Sequence, residues 1–138
     1  MFFMSYGYGG YADIVQIEET FVIYKYSCYN FNNNDYKKDM EIKDGEIYIE
    51  RDAFVEPDIH KKIIKTKSGR KKTIIKRIKR EVDFEELFNS GKIKVENASG
   101  TWKVTEAGIC IMAQTIIFKI FDKYQEEGEI PLKVAIVK

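Results

Sequence analysis

The segment from Glu106 to Glu127 carries the strongest pattern in this chain of 138 residues. Its apolar side chains recur at helical spacing and form one stripe, made of Ile109, Met112, Ala113, Ile116, Ile117, Ile120, Phe121 and Tyr124. Ile111 and Phe118 widen the stripe, so that more than half of the helix circumference is apolar. Such a helix has to be covered by other elements. We predict a long helix that ends at Gly128 and lies buried across a sheet.

Short strand patterns come before this helix. β-Branched and aromatic residues predict two strands at about 12–18 and 21–29, joined by a tight turn at 19–20. The dipeptide Asp44–Gly45 favours a type I′ turn, in which both residues have positive φ. This turn predicts a second hairpin over residues 40–49.

Further elements are marked around the long helix. Asp83 can cap a short helix that Gly91 ends. Residues 92–104 predict a hairpin that turns near 98–100, and residues 132–138 predict a last strand. Together the elements predict the α+β class: a single domain including the whole chain, in which a hairpin-rich antiparallel sheet packs on one long C-terminal helix, with one or two short helices.

The residue types that most often carry chemistry are scarce. The chain has two cysteines, Cys28 and Cys110, and one histidine, His60. Two cysteines do not make a secreted disulfide framework, and a structural zinc site takes about four Cys or His ligands. Cys110 lies in the apolar helix and Cys28 in a predicted strand, and each is predicted to be a small buried hydrophobe. We therefore expect no catalytic residue, no metal and no cofactor, and a protein that is not an enzyme.

The N-terminus and the overall composition indicate a folded protein that does not contact membranes. With 44% hydrophobic residues, the chain is too apolar for intrinsic disorder. The start MFFMSYGYGG has no basic region typical of a signal peptide, and its Tyr and Gly content predicts a flexible arm over residues 1–10. The longest apolar run covers about twelve residues, whereas a membrane span takes roughly twenty. We expect a cytoplasmic protein without membrane contact and leave its oligomeric state open.

Positive charge is concentrated in one basic segment, residues 59–80, with the sequence IHKKIIKTKSGRKKTIIKRIKR. Eleven of the 23 basic residues lie there, and none of the 22 acidic residues does. These candidate binding residues are Lys61, Lys62, Lys65, Lys67, Arg70, Lys71, Lys72, Lys76, Arg77, Lys79 and Arg80. The rest of the chain has twelve basic and 22 acidic residues, so an acidic body with net charge −10 bears one basic segment.

Two structures are compatible with residues 57–80. Pro57 suits the first turn of a helix, which a strand would then follow. Alternatively, two strands turn at Ser68–Gly69, so that Lys67 faces Arg70. Like charges directly opposite each other destabilise a hairpin. A sequence that tolerates them favours an anionic partner.

The uneven charge indicates a polyanionic partner. Our first hypothesis is a small accessory or regulatory protein that engages nucleic acid, RNA included, or a nucleoprotein complex such as a ribonucleoprotein through the eleven basic residues. The alternative is an inhibitor of the anti-defence or toxin-immunity type, whose acidic surface covers a basic protein, and an enzyme of unknown class comes third. A solvated basic face without a partner also stays open, because lysine outnumbers arginine nineteen to four. This ratio suggests an AT-rich bacterial or phage genome, in which lysine runs are common.

Overall fold

The computed structural model describes residues 7–30 and 42–137, which form an α+β fold as predicted. The strands are β1 (Tyr8–Ile17), β2 (Phe21–Asn30), β3 (Gly45–Glu50), β4 (Asp58–Lys65), β5 (Lys71–Ile78), β6 (Ile93–Glu96) and β7 (Lys133–Val137). The helices are α1 (Phe84–Asn89) and α2 (Ile111–Glu127), with a 3-10 turn at Arg51–Ala53. Five strands form an antiparallel sheet in the order β6-β3-β2-β1-β7, and β4 and β5 form a separate two-stranded sheet.

The N-terminal hairpin predicted from the sequence is confirmed at the centre of the main sheet. β1 and β2 pair antiparallel, and the Glu18 amide donates to the Phe21 carbonyl oxygen at 2.9 Å across the turn. β1 begins earlier than the pattern predicted, at Tyr8. Residues 1–6 of the predicted flexible arm lie outside the described residues, but its last three residues belong to β1.

Gly9 and Gly10 serve close packing in β1. Both are buried. A Cβ added to Gly10 would lie 2.8 Å from Cγ of Met112 on α2, and one added to Gly9 would overlap the carbonyl oxygen of Ile136 on β7. Glycine is therefore required here because helix and strand approach the backbone closely, not because the segment has to be flexible.

The core lies between the main sheet and α2. The predicted stripe is confirmed, since its central residues Met112, Ala113, Ile116, Ile117, Ile120 and Phe121 are all buried. The sheet contributes its inner face, with the buried side chains Ala12, Val22, Tyr24, Tyr26, Ile47, Ile49, Ile93, Val134 and Ile136. Successive strand residues point to opposite faces, so this set occupies alternate positions along the strands.

Two tyrosines are fully buried in this core with their hydroxyl groups satisfied. The Tyr24 hydroxyl donates to the carbonyl oxygen of Pro131 at 2.5 Å. The Tyr26 hydroxyl accepts from the amide of Ala98 at 3.0 Å. Burial raises the pKa of both hydroxyls far above the usual tyrosine value. Both tyrosines therefore stay neutral, as the apolar setting requires.

The long helix begins later than predicted, at Ile111 rather than at Glu106. Gly108 has a φ of 80°, which breaks the helical path. The side chain of Asn97 holds the preceding segment: its Nδ2 donates to the Gly108 carbonyl oxygen at 2.7 Å, and its Oδ1 accepts from the Cys110 amide at 2.8 Å. A tertiary contact thus sets the start of α2, which apolar spacing alone could not reveal.

The hairpin predicted at Asp44–Gly45 is wrong. Gly45 is the first residue of β3, and its φ is not positive. β3 lies between β2 and β6, so both of its edges are paired with distant strands. This pairing leaves Ile47 and Ile49 with no exposed surface, and such burial outweighs a local turn preference. Residues 40 and 41 of the predicted hairpin lie outside the described residues.

The hairpin predicted over residues 92–104 is also wrong. A turn does occur there, since the Thr101 amide donates to the Ala98 carbonyl oxygen at 3.1 Å. However, β6 pairs with β3, and Val104 forms only an isolated bridge with Cys110. The edge of β3 is the better partner because pairing with it continues the main sheet and satisfies its backbone groups.

The remaining local signals are confirmed. Asp83 caps α1, since its Oδ1 accepts from the Glu86 amide at 3.2 Å, and Gly91 follows with a φ of 80°. Gly128 ends α2 with a φ of 77°, and the last strand is β7. No helix within residues 7–30 and 42–137 has the length and apolar character needed to cross a membrane.

Candidate nucleic-acid interface

The basic segment folds as a β-hairpin outside the main sheet. β4 and β5 pair antiparallel over eight residues each, so the hairpin alternative is confirmed and the helix alternative is wrong. We call Asp58–Ile78 the ribbon. The buried core found in the described chain includes no ribbon residue. At about 3.3 Å per residue, each strand is roughly 26 Å long.

The turn of the ribbon is longer than predicted. The Thr66 amide donates to the Arg70 carbonyl oxygen at 2.8 Å, and Gly69, with a φ of 83°, lies inside the turn. Lys67, which was predicted to face Arg70 across the strands, is therefore a turn residue. The predicted turn at Ser68–Gly69 is one residue too short, because Thr66, and not Lys67, is opposite Arg70.

The observed register separates most of the positive charges. Lys65 faces Lys71 at the end of the ribbon, but Lys61 faces Ile75 and Lys62 faces Ile74. Direct repulsion across the strands is therefore smaller than the predicted register implied. The pairing of each of these lysines with an isoleucine instead mixes charge and apolar surface along the whole ribbon.

The two faces of the ribbon are chemically alike. Opposed residues of an antiparallel pair share a face, which gives an odd face of Ile59, Lys61, Ile63, Lys65, Lys71, Thr73, Ile75 and Arg77, and an even face of Asp58, His60, Lys62, Ile64, Lys72, Ile74, Lys76 and Ile78. Each face has three isoleucines, and at least three Lys or Arg. Five of the isoleucines are between 41% and 67% exposed. A hairpin that packs on a core has one apolar face, so this ribbon is built with two solvated faces.

Gln125 of α2 fixes the base of the ribbon. Its side chain is only 3% exposed. Its Oε1 accepts from the Arg80 amide at 2.6 Å, and its Nε2 donates to the Arg80 carbonyl oxygen at 2.9 Å. The sequence analysis missed this residue. Gln125 lies four positions after Phe121 and therefore continues the buried stripe of α2. A polar residue at such a position was the signal in the sequence that could have identified it.

Two of the predicted binding residues are neutralised within the protein. The Arg80 guanidinium bonds Asp58, with Nε donating to Oδ1 at 2.8 Å, and this hydrogen bond lowers the pKa of the Asp58 carboxyl. Lys79 lies 2.7 Å from Glu126 and 3.0 Å from Asp122. Hydrogen bonds to these two carboxylates raise the pKa of Lys79. Both residues therefore hold the ribbon to the body.

The other nine of the eleven predicted basic residues are exposed on the ribbon: Lys61, Lys62, Lys65, Lys67, Arg70, Lys71, Lys72, Lys76 and Arg77. Among the described residues, none of the nine forms an ion pair. Residues 59–78 contain no acidic side chain. The ribbon therefore presents a dense positive charge to the solvent.

Among the described residues, the other groups that could carry chemistry lie in the core or on the ribbon. The Cys28 and Cys110 sulfur atoms lie 3.9 Å apart and both side chains are buried, which confirms the predicted burial. His60 is exposed on the even face, opposite Lys76. In the part of the chain that the structure describes, no three His, Cys, Asp or Glu side chains are grouped to hold a metal ion. The ribbon is the best-defined candidate interface.

Comparison with known proteins gives no relative: no protein-family model, no curated protein and no solved structure matches this chain. No similar protein therefore supplies a function or a set of site residues. The chemistry of the ribbon is the basis for the proposal that follows.

Proposed function

We propose that this protein binds nucleic acid through the ribbon. The observation that carries the proposal is the solvated hairpin with nine exposed Lys and Arg side chains, in which Asp58 at the base is the one acidic residue. Cations that neutralise phosphates release condensed counterions, and this release supplies most of the non-specific affinity for nucleic acid. The protein acts as a non-enzymatic accessory or regulatory protein.

The exposed isoleucines favour a partner over a merely solvated basic face. An isolated two-stranded hairpin is marginally stable in water. This one leaves five isoleucines at least 41% exposed, and none of its residues belongs to the buried core of the described chain. Apolar surface of this kind, interspersed with charge, is typical of an interaction site. Because cations are at least as numerous as isoleucines on each face, the fitting partner is a polyanion.

The acidic body restricts the contact to the ribbon. Outside residues 61–80 the chain has a net charge of −10, which repels phosphates. At the base, Lys79 and Arg80 are already paired with carboxylates. Nucleic acid is therefore held along the ribbon and away from the body. This arrangement suits local contact rather than general coating of DNA.

A salt titration with two charge-matched variants tests the proposal. The tip variant replaces Lys65, Lys67, Lys71 and Lys72 with Gln, and the body variant replaces Lys103, Lys119, Lys123 and Lys133 with Gln. Affinity for duplex and single-stranded nucleic acids is measured by fluorescence anisotropy between about 50 and 200 mM salt. With six phosphate contacts, log K against log salt has a slope near −5 for a DNA duplex, and the tip variant flattens this slope by about 3.6. The body variant keeps the wild-type slope.

Two outcomes would contradict the proposal. Equal losses in the tip and body variants would mean that overall charge, and not the ribbon, governs binding. No binding of the wild-type protein to any nucleic acid at about 50 mM salt, where charge contacts are strong, would reject the function itself. Binding of a basic protein to the acidic body would then be the next hypothesis to examine.

A further inference from the structure

The two faces of the ribbon carry the same kinds of side chain, and this similarity indicates which form of nucleic acid fits the ribbon. The inference rests on the proposed function. A ribbon lying flat on a polyanion uses one face and leaves the other in water. Here the odd face has four Lys or Arg side chains and the even face has three. The acidic residue of the even face, Asp58, is paired with Arg80. Both faces are therefore equipped for contact with phosphates.

We infer that the ribbon enters the major groove of B-form double-stranded DNA, with the cations of its two faces directed at the phosphate backbones on the two sides of the groove. Stacked sheets lie about 10 Å apart, so a ribbon with side chains on both faces is roughly 10 Å thick. The major groove is about 12 Å wide and admits a two-stranded ribbon, whereas the minor groove is only about 6 Å wide.

Other forms of nucleic acid fit the ribbon less well. The major groove of A-form RNA is deep and narrow, and side chains do not enter it. Single strands are held by stacking of bases on aromatic side chains. Residues 58–78 contain no Phe, Tyr or Trp. The ribbon therefore lacks the stacking surface of a single-strand binder and has the shape and charge of a groove binder.

The base of the ribbon supports this mode of binding. Gln125 holds the backbone of Arg80 through two hydrogen bonds, so the ribbon leaves the body in a defined direction. A pre-organised element loses little conformational freedom on binding. The strands are roughly 26 Å long, and the residues of the tip, 65–71, are exposed apart from Thr66. The ribbon can thus reach into a groove while the body stays outside it.

Two face-selective variants of the full chain test the inference. The odd-face variant replaces Lys61, Lys65 and Lys71 with Gln, and the even-face variant replaces Lys62, Lys72 and Lys76 with Gln. Each removes three exposed lysines, so each is the matched control of the other. On a mixed-sequence DNA duplex, each variant is expected to flatten the salt slope by about 2.7. The wild-type protein is expected to bind this duplex more tightly than an RNA duplex or a DNA single strand of the same sequence.

A footprint with the wild-type protein gives a second measurement that does not depend on the variants folding. Guanine N7 faces the major groove, so the bound protein is expected to protect it from methylation by dimethyl sulfate. An unprotected N7, a loss confined to one face variant, or equal affinity for RNA duplex or single strand would each overturn groove binding. If groove binding were overturned but the tip variant still lost its affinity for nucleic acid, the proposed function would stand. A wild-type protein that bound no nucleic acid would reject both proposals.

Discussion

Gly45 is required by the tyrosine ring opposite it and not by a turn. A Cβ added to Gly45 would overlap the Tyr26 ring, with Cδ1 of that ring 2.7 Å away. The ring is fully buried, and its hydroxyl accepts from the Ala98 amide, so it cannot move aside without losing packing and a hydrogen bond. The glycine that looked like a turn residue in the sequence is therefore a packing residue.

Gly45→Ala is expected to destabilise the protein by about 1–3 kcal/mol, because the added methyl group overpacks the core. Denaturant unfolding measures this change. Glu46→Ala is the control at the next position, on the other face of β3, where it removes an ion pair with Lys25 at 3.7 Å. Both partners are partly exposed, so the control is expected to change stability by less than about 1 kcal/mol. Wild-type stability in Gly45→Ala would show that the Tyr26 ring can rotate away.

The ribbon depends on α2 for its position. A two-stranded hairpin without a partner is marginal in water, and the ion pairs at its base, made by Lys79 and Arg80, are about half exposed. Exposed ion pairs contribute little. The two hydrogen bonds from the buried Gln125 side chain to Arg80 are therefore the stronger part of the connection.

Gln125→Leu keeps a side chain of similar size but leaves the Arg80 amide and carbonyl without these partners. We expect a loss of about 1–3 kcal/mol in the free energy of unfolding and faster hydrogen exchange at the Arg80 amide. Glu126→Gln is the control, because it changes the adjacent exposed residue and weakens one contact to Lys79. Its effect is expected to stay below about 1 kcal/mol. Unchanged exchange at Arg80 in Gln125→Leu would mean that the ribbon is held in another way.

At the scale of the whole molecule, positive and negative charge are concentrated in two different parts of the structure, the ribbon and the acidic body. Residues 59–78 have nine basic residues and no acidic ones, and the rest of the chain has fourteen basic and 22 acidic residues. A net charge of +9 on residues 59–78 thus faces −8 on the rest of the chain, which together give the overall +1. A polyanion meets an attractive ribbon and a repulsive body, although the total charge is close to zero.

Replacing residues 59–78 with a short Gly-Ser linker is expected to leave the body folded. Asp58 faces Ile78 in the ribbon, so the ends to be joined are adjacent, and the buried core of the described chain includes no residue of this span. The shortened protein is expected to unfold cooperatively, to bind no nucleic acid and to have an isoelectric point well below 7.7. Loss of cooperative unfolding, followed by circular dichroism, would show instead that the ribbon belongs to the folding unit.

Elements marked by local signals were predictable from the sequence. The stripe of α2, the cap of α1 at Asp83 and the hairpin of β1 and β2 depend on residues within a few positions of one another. The partners of β3 and β6 were not predictable, because each of these strands pairs with a strand that is distant in the sequence. Two turn-like segments, Asp44–Gly45 and residues 98–100, were consequently misassigned to local hairpins.

The sequence by itself determined that this protein has a wide apolar helix, enough strands to cover it, and eleven basic residues in one acid-free segment. Only the tertiary structure decided that nine of those residues stay exposed, seven on two like faces and two in the turn, while Lys79 and Arg80 bond Asp122, Glu126 and Asp58. Charge content belongs to the chain. Whether a charge is available to a partner depends on which carboxylates the fold brings within hydrogen-bonding distance, and for Lys79 these come from α2, more than forty positions away in the sequence.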